Sequence, residues 1–236
     1  GNEHMISTIK GSILLENGSI YDPCKNKKIK GSVLLNNGIV KEVGKCSPPK
    51  NVKRVNCQGK IVAPGLIDIH AHFREPGRED KETLVTGATA AFSGGFTRVC
   101  IMPNTNPPLD TPESIRFIVE KSADLPIHIF PIGAITRRQE GLEITEIGEM
   151  VQAGAVAISD DGMPVQNGQV MRYAVEYAQR FNIPVINHAE DIYLMNDGVM
   201  NESTLSTQLG LPGNPDIAES VMVYRDLEIA EFTNGR

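Results

Sequence analysis

The sequence predicts an α/β protein that joins a small N-terminal β domain to the first five βα units of a (β/α)8 barrel. Two hairpin signals, Asn17-Gly18 and Asn37-Gly38, separate short β-rich runs before residue 60. After Gly59 the pattern changes to alternating strands and helices, which is typical of a parallel sheet. Polar side chains collect where these strands end, and barrel active sites lie at that edge of the sheet.

The β domain is expected over residues 5–60, as a small β-sandwich whose β-rich runs cover 12–15, 32–35 and 39–43. Residues 1–4, ahead of Met5, are expected to be a remnant of cloning. His4 is therefore left out of the site.

The barrel portion is expected over residues 61–236. Its predicted strands cover 61–70, 97–102, 127–132, 155–159 and 184–188, and its predicted helices cover 81–93, 112–123, 144–153, 169–181 and 217–232. Cap signals agree with these bounds: Gly94-Gly95 closes the first helix, Thr111-Pro112 opens the second, and Gly154 ends the third.

Composition excludes several classes of protein. The net charge of −6 and the lack of a long basic run argue against a nucleic-acid partner. Apolar runs fall short of the roughly 18 residues that span a bilayer, and the N-terminus does not resemble a signal peptide. The four cysteines show no C-x-x-C spacing, which favours reduced thiols. These features predict a cytoplasmic protein without membrane attachment.

His70-x-His72, at the end of an apolar run, is the most informative motif. Alternate side chains of a strand share a face, so His70 and His72 can hold one metal ion, and Asp68 lies on the same face. Two buried, hydrogen-bonded core histidines remain an alternative for this spacing alone. The opposite face is predicted to be buried and consists of Ile67, Ile69, Ala71 and Phe73.

Other polar residues follow the later strands. The set at the predicted strand ends comprises His70, His72, Arg74, Asn104, Asp160, Asp161 and His188. Three of the five histidines of the chain thus meet at one edge, which favours a metal site. His128 lies within the third strand and is interpreted as structural. By composition alone, Ser159–Gly162 could be a turn or a helix cap, and Arg74 could pair with Glu75 or Glu79.

Several motifs occur in order along the strands and resemble those of the dihydroorotases, a family of the amidohydrolase superfamily. The similarity extends over essentially all residues from Met5 on. The motifs lie at residues 67–77, 81–83, 86–91, 94–97, 102–105, 160–162, 187–190, 198–202, 209–213 and 218–220.

The resemblance implies a centre of two zinc ions that serves pyrimidine biosynthesis by interconverting N-carbamoyl-L-aspartate and L-dihydroorotate. It assigns His70 and His72 to the first ion and His188 to the second. Many superfamily members bridge the ions with a carboxylated lysine, but residues 151–170 contain no lysine. An aspartate is therefore expected to bridge, Asp161 by family register, with Asp160 also possible.

The resemblance also implies a small-molecule substrate bound by His72, Phe73, Arg74 and Asn104. Arg74 can grip a carboxylate through paired hydrogen bonds, and Asn104 can donate to the same group. Phe73 is expected to contribute backbone contacts or packing. A homo-oligomer is expected, and aspartate carbamoyltransferase is a candidate partner.

Length suggests that this is the N-terminal portion of such an enzyme. A complete barrel takes about 250 residues, more than follow Gly59. A further metal-binding histidine and a proton-shuttling aspartate are expected beyond Arg236, so the chain alone should not turn over dihydroorotate. An open arc should also expose apolar strand edges. Two alternatives stay open: an allantoinase or hydantoinase, and a non-catalytic dihydroorotase-like subunit.

Overall fold

A computed structural model describes residues 11–195 and 197–236. The expected cloning remnant and the start of the predicted β domain, residues 1–10, lie outside the described residues. No helix in the described ranges is both long and apolar enough to cross a membrane.

Two small sheets form from residues 12–62. Strands β5, β4, β1 and β6 make a mixed sheet in that order, and β3, β2 and β7 make a second sheet. Apolar side chains of β1 and β4 are buried, which gives this region a core of its own. The seven strands are β1 (Ser12–Glu16), β2 (Ser19–Asp22), β3 (Lys27–Ile29), β4 (Ser32–Asn36), β5 (Ile39–Gly44), β6 (Lys53–Asn56) and β7 (Ile61–Val62).

One of the two predicted hairpins is confirmed. Asn37 and Gly38 both have positive φ and connect β4 to its antiparallel neighbour β5, as a tight hairpin turn requires. Asn17-Gly18 also follows a strand, but β1 and β2 lie in different sheets. The prediction of a hairpin there is wrong, because β2 pairs instead with β3 and β7.

A parallel four-stranded sheet follows, with the order β11-β10-β9-β8. Helices alternate with its strands, as predicted, and a short 3₁₀ turn (Arg137–Gln139) follows β10. The elements are β8 (Leu66–Ala71), α1 (Leu84–Ser93), β9 (Phe96–Ile101), α2 (Pro112–Lys121), β10 (His128–Gly133), α3 (Ile147–Ala153), β11 (Ala157–Ile158) and α4 (Gly168–Gln179).

The predicted helix caps are present. Thr111 accepts a hydrogen bond from the Ser114 backbone N–H, and Pro112 occupies the first turn of α2. Gly94 caps the C-terminus of α1, and Gly154 caps that of α3. These local signals therefore predicted where the helices begin and end.

Two predicted strands differ from the structure. The strand expected over 61–70 is divided: β7 pairs with β2, and β8 pairs with β9 after the intervening Pro64. The strand expected over 184–188 is represented by a single parallel bridge between Val185 and Ile158. Within the described residues, the parallel sheet thus contains four strands and this bridge.

Burial divides the parallel sheet into a middle and an edge. Ile101 and Ile132, on the middle strands β9 and β10, are fully buried, as is Ile158 on β11, whose outer side is flanked by the Val185 bridge. By contrast, Ile67 and Ile69 on β8 are 57% and 67% exposed. The prediction that β8 is buried on both faces is therefore wrong for these two residues. β8 forms the edge of the four-stranded sheet and has a strand neighbour on one side only.

The C-terminal segment contains a short pair of parallel strands and a long helix. The pair is β12 (Met200–Asn201) and β13 (Gly213–Asn214), with α5 (Thr204–Leu209) between them, and α6 (Ile217–Thr233) follows. α6 packs against α4, and the face of α6 that carries Tyr224 and Leu227 is exposed. This face is a second apolar edge, as expected for an open arc.

Candidate metal centre

His70 and His72 project from the C-terminal end of β8 towards Asp161, which follows β11. Nε2 of His70 lies 3.5 Å from Oδ1 of Asp161, and Nε2 of His72 lies 3.4 Å from Oδ2. These three residues offer ligand atoms that all lie within 4.8 Å of one another. The Asp161 side chain is buried, whereas both histidines are partly exposed, so the group faces the open end of the sheet.

The distances favour a shared cation over direct ion pairs. A charge-assisted N–H···O bond is about 2.7–2.9 Å long, which is shorter than either separation. Two ligands on one tetrahedral zinc lie about 3.3–3.5 Å apart, given Zn–N and Zn–O bonds of about 2.0–2.2 Å. Imidazole nitrogens and a carboxylate are also ligands that zinc prefers. The donor set therefore fits a zinc ion.

His188 approaches Asp161 from the segment that follows the Val185 bridge. Its Nδ1 lies 3.2 Å from Asp161 Oδ1, and its Nε2 lies 3.4 Å from a Glu190 carboxylate oxygen. His188 is not part of the compact group formed by the other two histidines. Asp161 is thus the one carboxylate that all three predicted histidines approach.

Asp160 points the other way. Its carboxylate accepts hydrogen bonds from the backbone N–H groups of Ile135 and Thr136, at 2.8 and 3.1 Å, and from the Thr136 hydroxyl. Burial raises the pKa of Asp160 to about 6, although these hydrogen bonds act in the opposite direction. The two neighbouring aspartates therefore have different surroundings, and Asp161 is the one that faces the histidines.

Asn104 follows β9, lies at the open end of the sheet and contacts His72. Its Oδ1 lies 2.9 Å from Nδ1 of His72. An amide oxygen only accepts hydrogen bonds, so this contact selects the His72 tautomer that carries its proton on Nδ1. The lone pair of Nε2 is then directed at Asp161, which is the arrangement that metal ligation requires.

Arg74 and Phe73 follow His72 on opposite faces of the chain. Phe73 is buried, and its ring lies where a Cβ on Gly87 of α1 would have to be. The side chain of Phe73 thus packs in the core, as one of its two expected roles requires, and its backbone lies at the strand end. Arg74 is partly buried near this end of the sheet.

The carboxylates that could have paired with Arg74 have other partners. Glu75 is buried and accepts from the Leu84 backbone N–H and from the Lys121 ammonium group. Glu79 accepts from the backbone N–H of Gly77. In the part of the chain that the structure describes, the Arg74 guanidinium forms no ion pair with either glutamate.

The loops after β8 and β9 lie backbone to backbone. The Asn106 N–H donates to the Pro76 carbonyl at 3.0 Å. Gly77 has φ of +97°, and a Cβ built on it would lie 1.9 Å from the Asn106 carbonyl oxygen. Only glycine fits this contact, which joins the loop of Arg74 to the loop of Asn104.

Comparison with known proteins identifies the relationship suggested by the motifs. A family model described as dihydro-orotase-like matches residues 59–235. The chain belongs to this dihydro-orotase-like family. Its residues 59–235 include both loops and all of the site residues described above, so the resemblance seen in the motifs is confirmed.

Curated dihydroorotases are the family members that match in sequence. The chain is 44% identical over 234 residues to the dihydroorotase of Desulforapulum autotrophicum, covering 98% of this chain and 54% of that protein. It is 45% identical over 226 residues to that of Geobacter sulfurreducens, covering 95% and 53%. The chain thus spans about half the length of the curated relatives it matches.

Solved structures show the same fold at low sequence identity. The L-hydantoinase (dihydropyrimidinase) of Arthrobacter aurescens matches with a TM-score of 0.76 and 19% identity, over 95% of this chain and 51% of that one. The dihydropyrimidinase of Brevibacillus agri matches with a TM-score of 0.73 and 16% identity, over 95% and 50%. Both share the fold of this chain, in which the parallel strands form part of a barrel.

Several contacts of the site were not predicted from the sequence of this family member. The tie between Asn104 and His72, the Thr136 contact with Asp160, and the partnership of Glu75 with Lys121 all join residues far apart in the chain. Glu75 lies within the motif at residues 67–77, which was a signal for its importance. Thr136 lies in no motif, so no sequence signal indicated it.

Proposed function

We propose that the protein to which this chain belongs is a dihydroorotase, which interconverts N-carbamoyl-L-aspartate and L-dihydroorotate in pyrimidine biosynthesis. The observation that carries this proposal is the Asp161 carboxylate, placed against His70 and His72 on one side and His188 on the other. Curated relatives at 43–45% identity are dihydroorotases, which supports the same reaction. The hydantoinase structures share the fold and no more than 20% identity, so they favour no second reaction.

The proposed centre holds two zinc ions. His70 and His72 would hold one, His188 the other, and Asp161 would serve both. When bound, zinc lowers the pKa of a coordinated water to about 7 and polarises a carbonyl group. All three histidines lie 3.2–3.5 Å from an oxygen of the same Asp161 carboxylate, which supports a ligand shared by the two ions.

The reaction joins the side-chain carboxyl carbon of N-carbamoyl-L-aspartate to its terminal ureido nitrogen and releases water. Ring opening is the reverse, in which water adds to the same carbonyl carbon. The chain must therefore hold the other carboxylate fixed while this bond forms or breaks. Arg74 would bind that carboxylate through two N–H groups, and the Asn104 Nδ2 would donate to it while its Oδ1 holds His72.

The finer features of the whole protein are also proposed. They comprise a closed (β/α)8 barrel with an N-terminal β-sandwich, a proton-transferring aspartate beyond Arg236, a homo-oligomeric state, a cytoplasmic location and association with aspartate carbamoyltransferase. The division of the chain near residue 60 is part of this proposal. The pairing of β7, at residues 61–62, with β2 of the N-terminal sheets supports a division of the chain close to this point.

Assays of the full-length protein test the reaction. We expect it to hydrolyse L-dihydroorotate and to leave hydantoin and allantoin essentially unchanged. His70→Ala should lower the zinc content and remove activity, whereas His128→Ala, outside the site, should change neither. Hydantoin or allantoin turnover without dihydroorotate turnover would refute the proposal, as would full zinc content in the His70 variant.

The substrate contact has a matched control in the same loop. Arg74→Ala should lower kcat/KM for dihydroorotate about 10²-fold or more, a loss of several kcal/mol in transition-state stabilisation, with zinc content preserved. Arg78→Ala should change neither, because Arg78 is exposed and pairs with Asp80. Equal kinetics for the two variants would remove Arg74 from the substrate site.

A further inference from the structure

The chain leaves the parallel sheet just before Asp161. β11 consists of Ala157 and Ile158, and backbone pairing on the β10 side ends at Ser159, whose N–H donates to the Gly133 carbonyl at 2.9 Å and whose carbonyl accepts from the Ile135 N–H at 3.3 Å. Residues 160 and 161 lie beyond this ladder. The orientation of the Asp161 carboxylate must therefore be fixed by contacts other than strand pairing.

Those contacts come from the β10–α3 loop, residues 134–146. The side chain of Asp160 binds this loop through three donors, the N–H groups of Ile135 and Thr136 and the Thr136 hydroxyl. Thr136 is fully buried, and its hydroxyl also accepts from the Gly141 N–H at 2.9 Å. On the other side, the Gln139 amide lies 3.4 Å from the Asp161 carbonyl oxygen.

The loop itself is held in an unusual conformation. Arg138 and Gln139 both have positive φ, 54° and 56°, which non-glycine residues seldom adopt. The Arg138 N–H donates to Asp110 at 2.8 Å, and this contact anchors the turn to the loop that follows β9. The strained turn brings the Gln139 amide to Asp161, so the conformation and the contact belong together.

We infer that Thr136 and Asp160 are positioning residues that hold the Asp161 carboxylate in its metal-binding orientation. The inference rests on the proposed metal centre. Strand pairing no longer holds the chain at position 160. The Asp160 carboxylate binds the loop after β10 instead, and this contact fixes the direction of the Asp161 side chain. Neither residue touches the metal position, so both act through Asp161.

Zinc affinity of the full-length protein separates positioning from general stability. Thr136→Val keeps the volume of the side chain and removes the hydroxyl, and Thr136→Ser restores it. Thr145→Val is the matched control, because Thr145 is also buried in this loop and its hydroxyl binds the Ala134 carbonyl rather than Asp160. Zinc dissociation constants are measured by competition with a chelator, together with the melting temperature of each variant.

The Thr136→Val variant should bind zinc about 10–100-fold more weakly than wild type, the usual effect of removing a residue behind a metal ligand. Thr136→Ser should recover most of the affinity. Thr145→Val should lower the melting temperature and leave zinc affinity unchanged. If Thr136→Val does not fold, Asp160→Asn is used in its place, because it keeps the side-chain volume and weakens the same contacts.

Equal zinc affinity in wild type and the variant used would overturn the inference while leaving the metal centre intact. An equal loss in Thr145→Val would also overturn it, since the effect would then be a general property of the loop. Absence of zinc binding by wild type would instead overturn the proposed centre, and the positioning role with it.

Discussion

The middle of the parallel sheet and its edges differ in packing, yet the candidate centre takes residues from both. Side chains of β9, β10 and β11 such as Ile101, Ile132 and Ile158 are fully buried. At one edge Ile69 is 67% exposed, and on α6 at the other end Tyr224 is 66% exposed. Asp161 comes from the buried middle, whereas the histidines come from the edges.

This difference shows how the site depends on the rest of the fold. We infer that the orientation of Asp161 is fixed by buried contacts within the described residues. His70 and His72 lie on an edge strand with one neighbour, and His188 follows a segment held to the sheet by a single bridge. The positions of the histidines relative to Asp161 should therefore be more sensitive to substitutions and to the covering of the edges.

Removing the shared carboxylate should have the largest effect. Asp161→Ala in the full-length protein should abolish zinc binding at both positions, because all three histidines face this one carboxylate. His188→Ala, which removes one edge ligand, should leave about half of the zinc. Metal analysis of the two purified variants checks this, and equal losses would show that the centre does not divide between middle and edge.

The packing difference should be visible in stability. Ile101→Ala should lower the free energy of unfolding of the 236-residue chain by about 2–5 kcal/mol, since it leaves a cavity in a filled core. Ile69→Ala should cost about 0.5–1 kcal/mol, because most of that side chain is already in water. Urea unfolding gives both values, and similar losses would contradict the comparison.

One ion pair joins helix α2 to the loop that follows the edge strand β8. Lys121, at the end of α2, pairs with the buried Glu75 in the loop after β8. Lys121→Met should cost about 1–3 kcal/mol, less than for a fully buried pair because half of the lysine is exposed. It should also raise KM more than it changes kcat, since Arg74 lies next to Glu75.

The double variant Glu75→Gln, Lys121→Met provides the control for this contact. It removes the buried charge together with its partner, and it should recover part of the lost stability. Thermal unfolding and steady-state kinetics of the single and double variants are compared. A double variant less stable than the sum of the single changes would show that the contact does not act as an ion pair.

The smallest effect is expected from protonation of His128, which lies on the middle strand β10. Burial, and to a lesser degree Arg98, lowers the pKa of His128 from its ordinary value of 6.5. The unfolded chain therefore takes up a proton first as pH falls through 6.5, and stability is lost until the folded pKa is passed. His128→Gln should show a smaller drop in melting temperature between pH 7.5 and pH 5.5.

The parts of the fold that depend on local sequence were predicted well. Caps at Thr111 and Gly154 act on neighbouring backbone groups, and the turn at Asn37-Gly38 joins adjacent strands. The division of the strand at Pro64 and the separation of β1 from β2 depend on pairing with distant strands. A single sequence carries little information about such partners.

The site, like the fold, was predicted where the signal is local in the chain. Alternation along one strand placed His70 and His72 on one face, and this needs no knowledge of other strands. The different orientations of Asp160 and Asp161 depend on a loop 24 residues away, through Thr136. Burial of Phe73 followed from the same alternation, since it lies between His72 and Arg74.

The backbone contact between Gly77 and Asn106 has a consequence for how substrate range can change. The two loops that present Arg74 and Asn104 are in direct backbone contact, so a change in the length of one requires a matching change in the other. Inserting one residue into either loop alone would displace both side chains from a bound carboxylate. A variant that accepts a ring of another size would therefore need paired insertions, a covariation that library selection could detect directly.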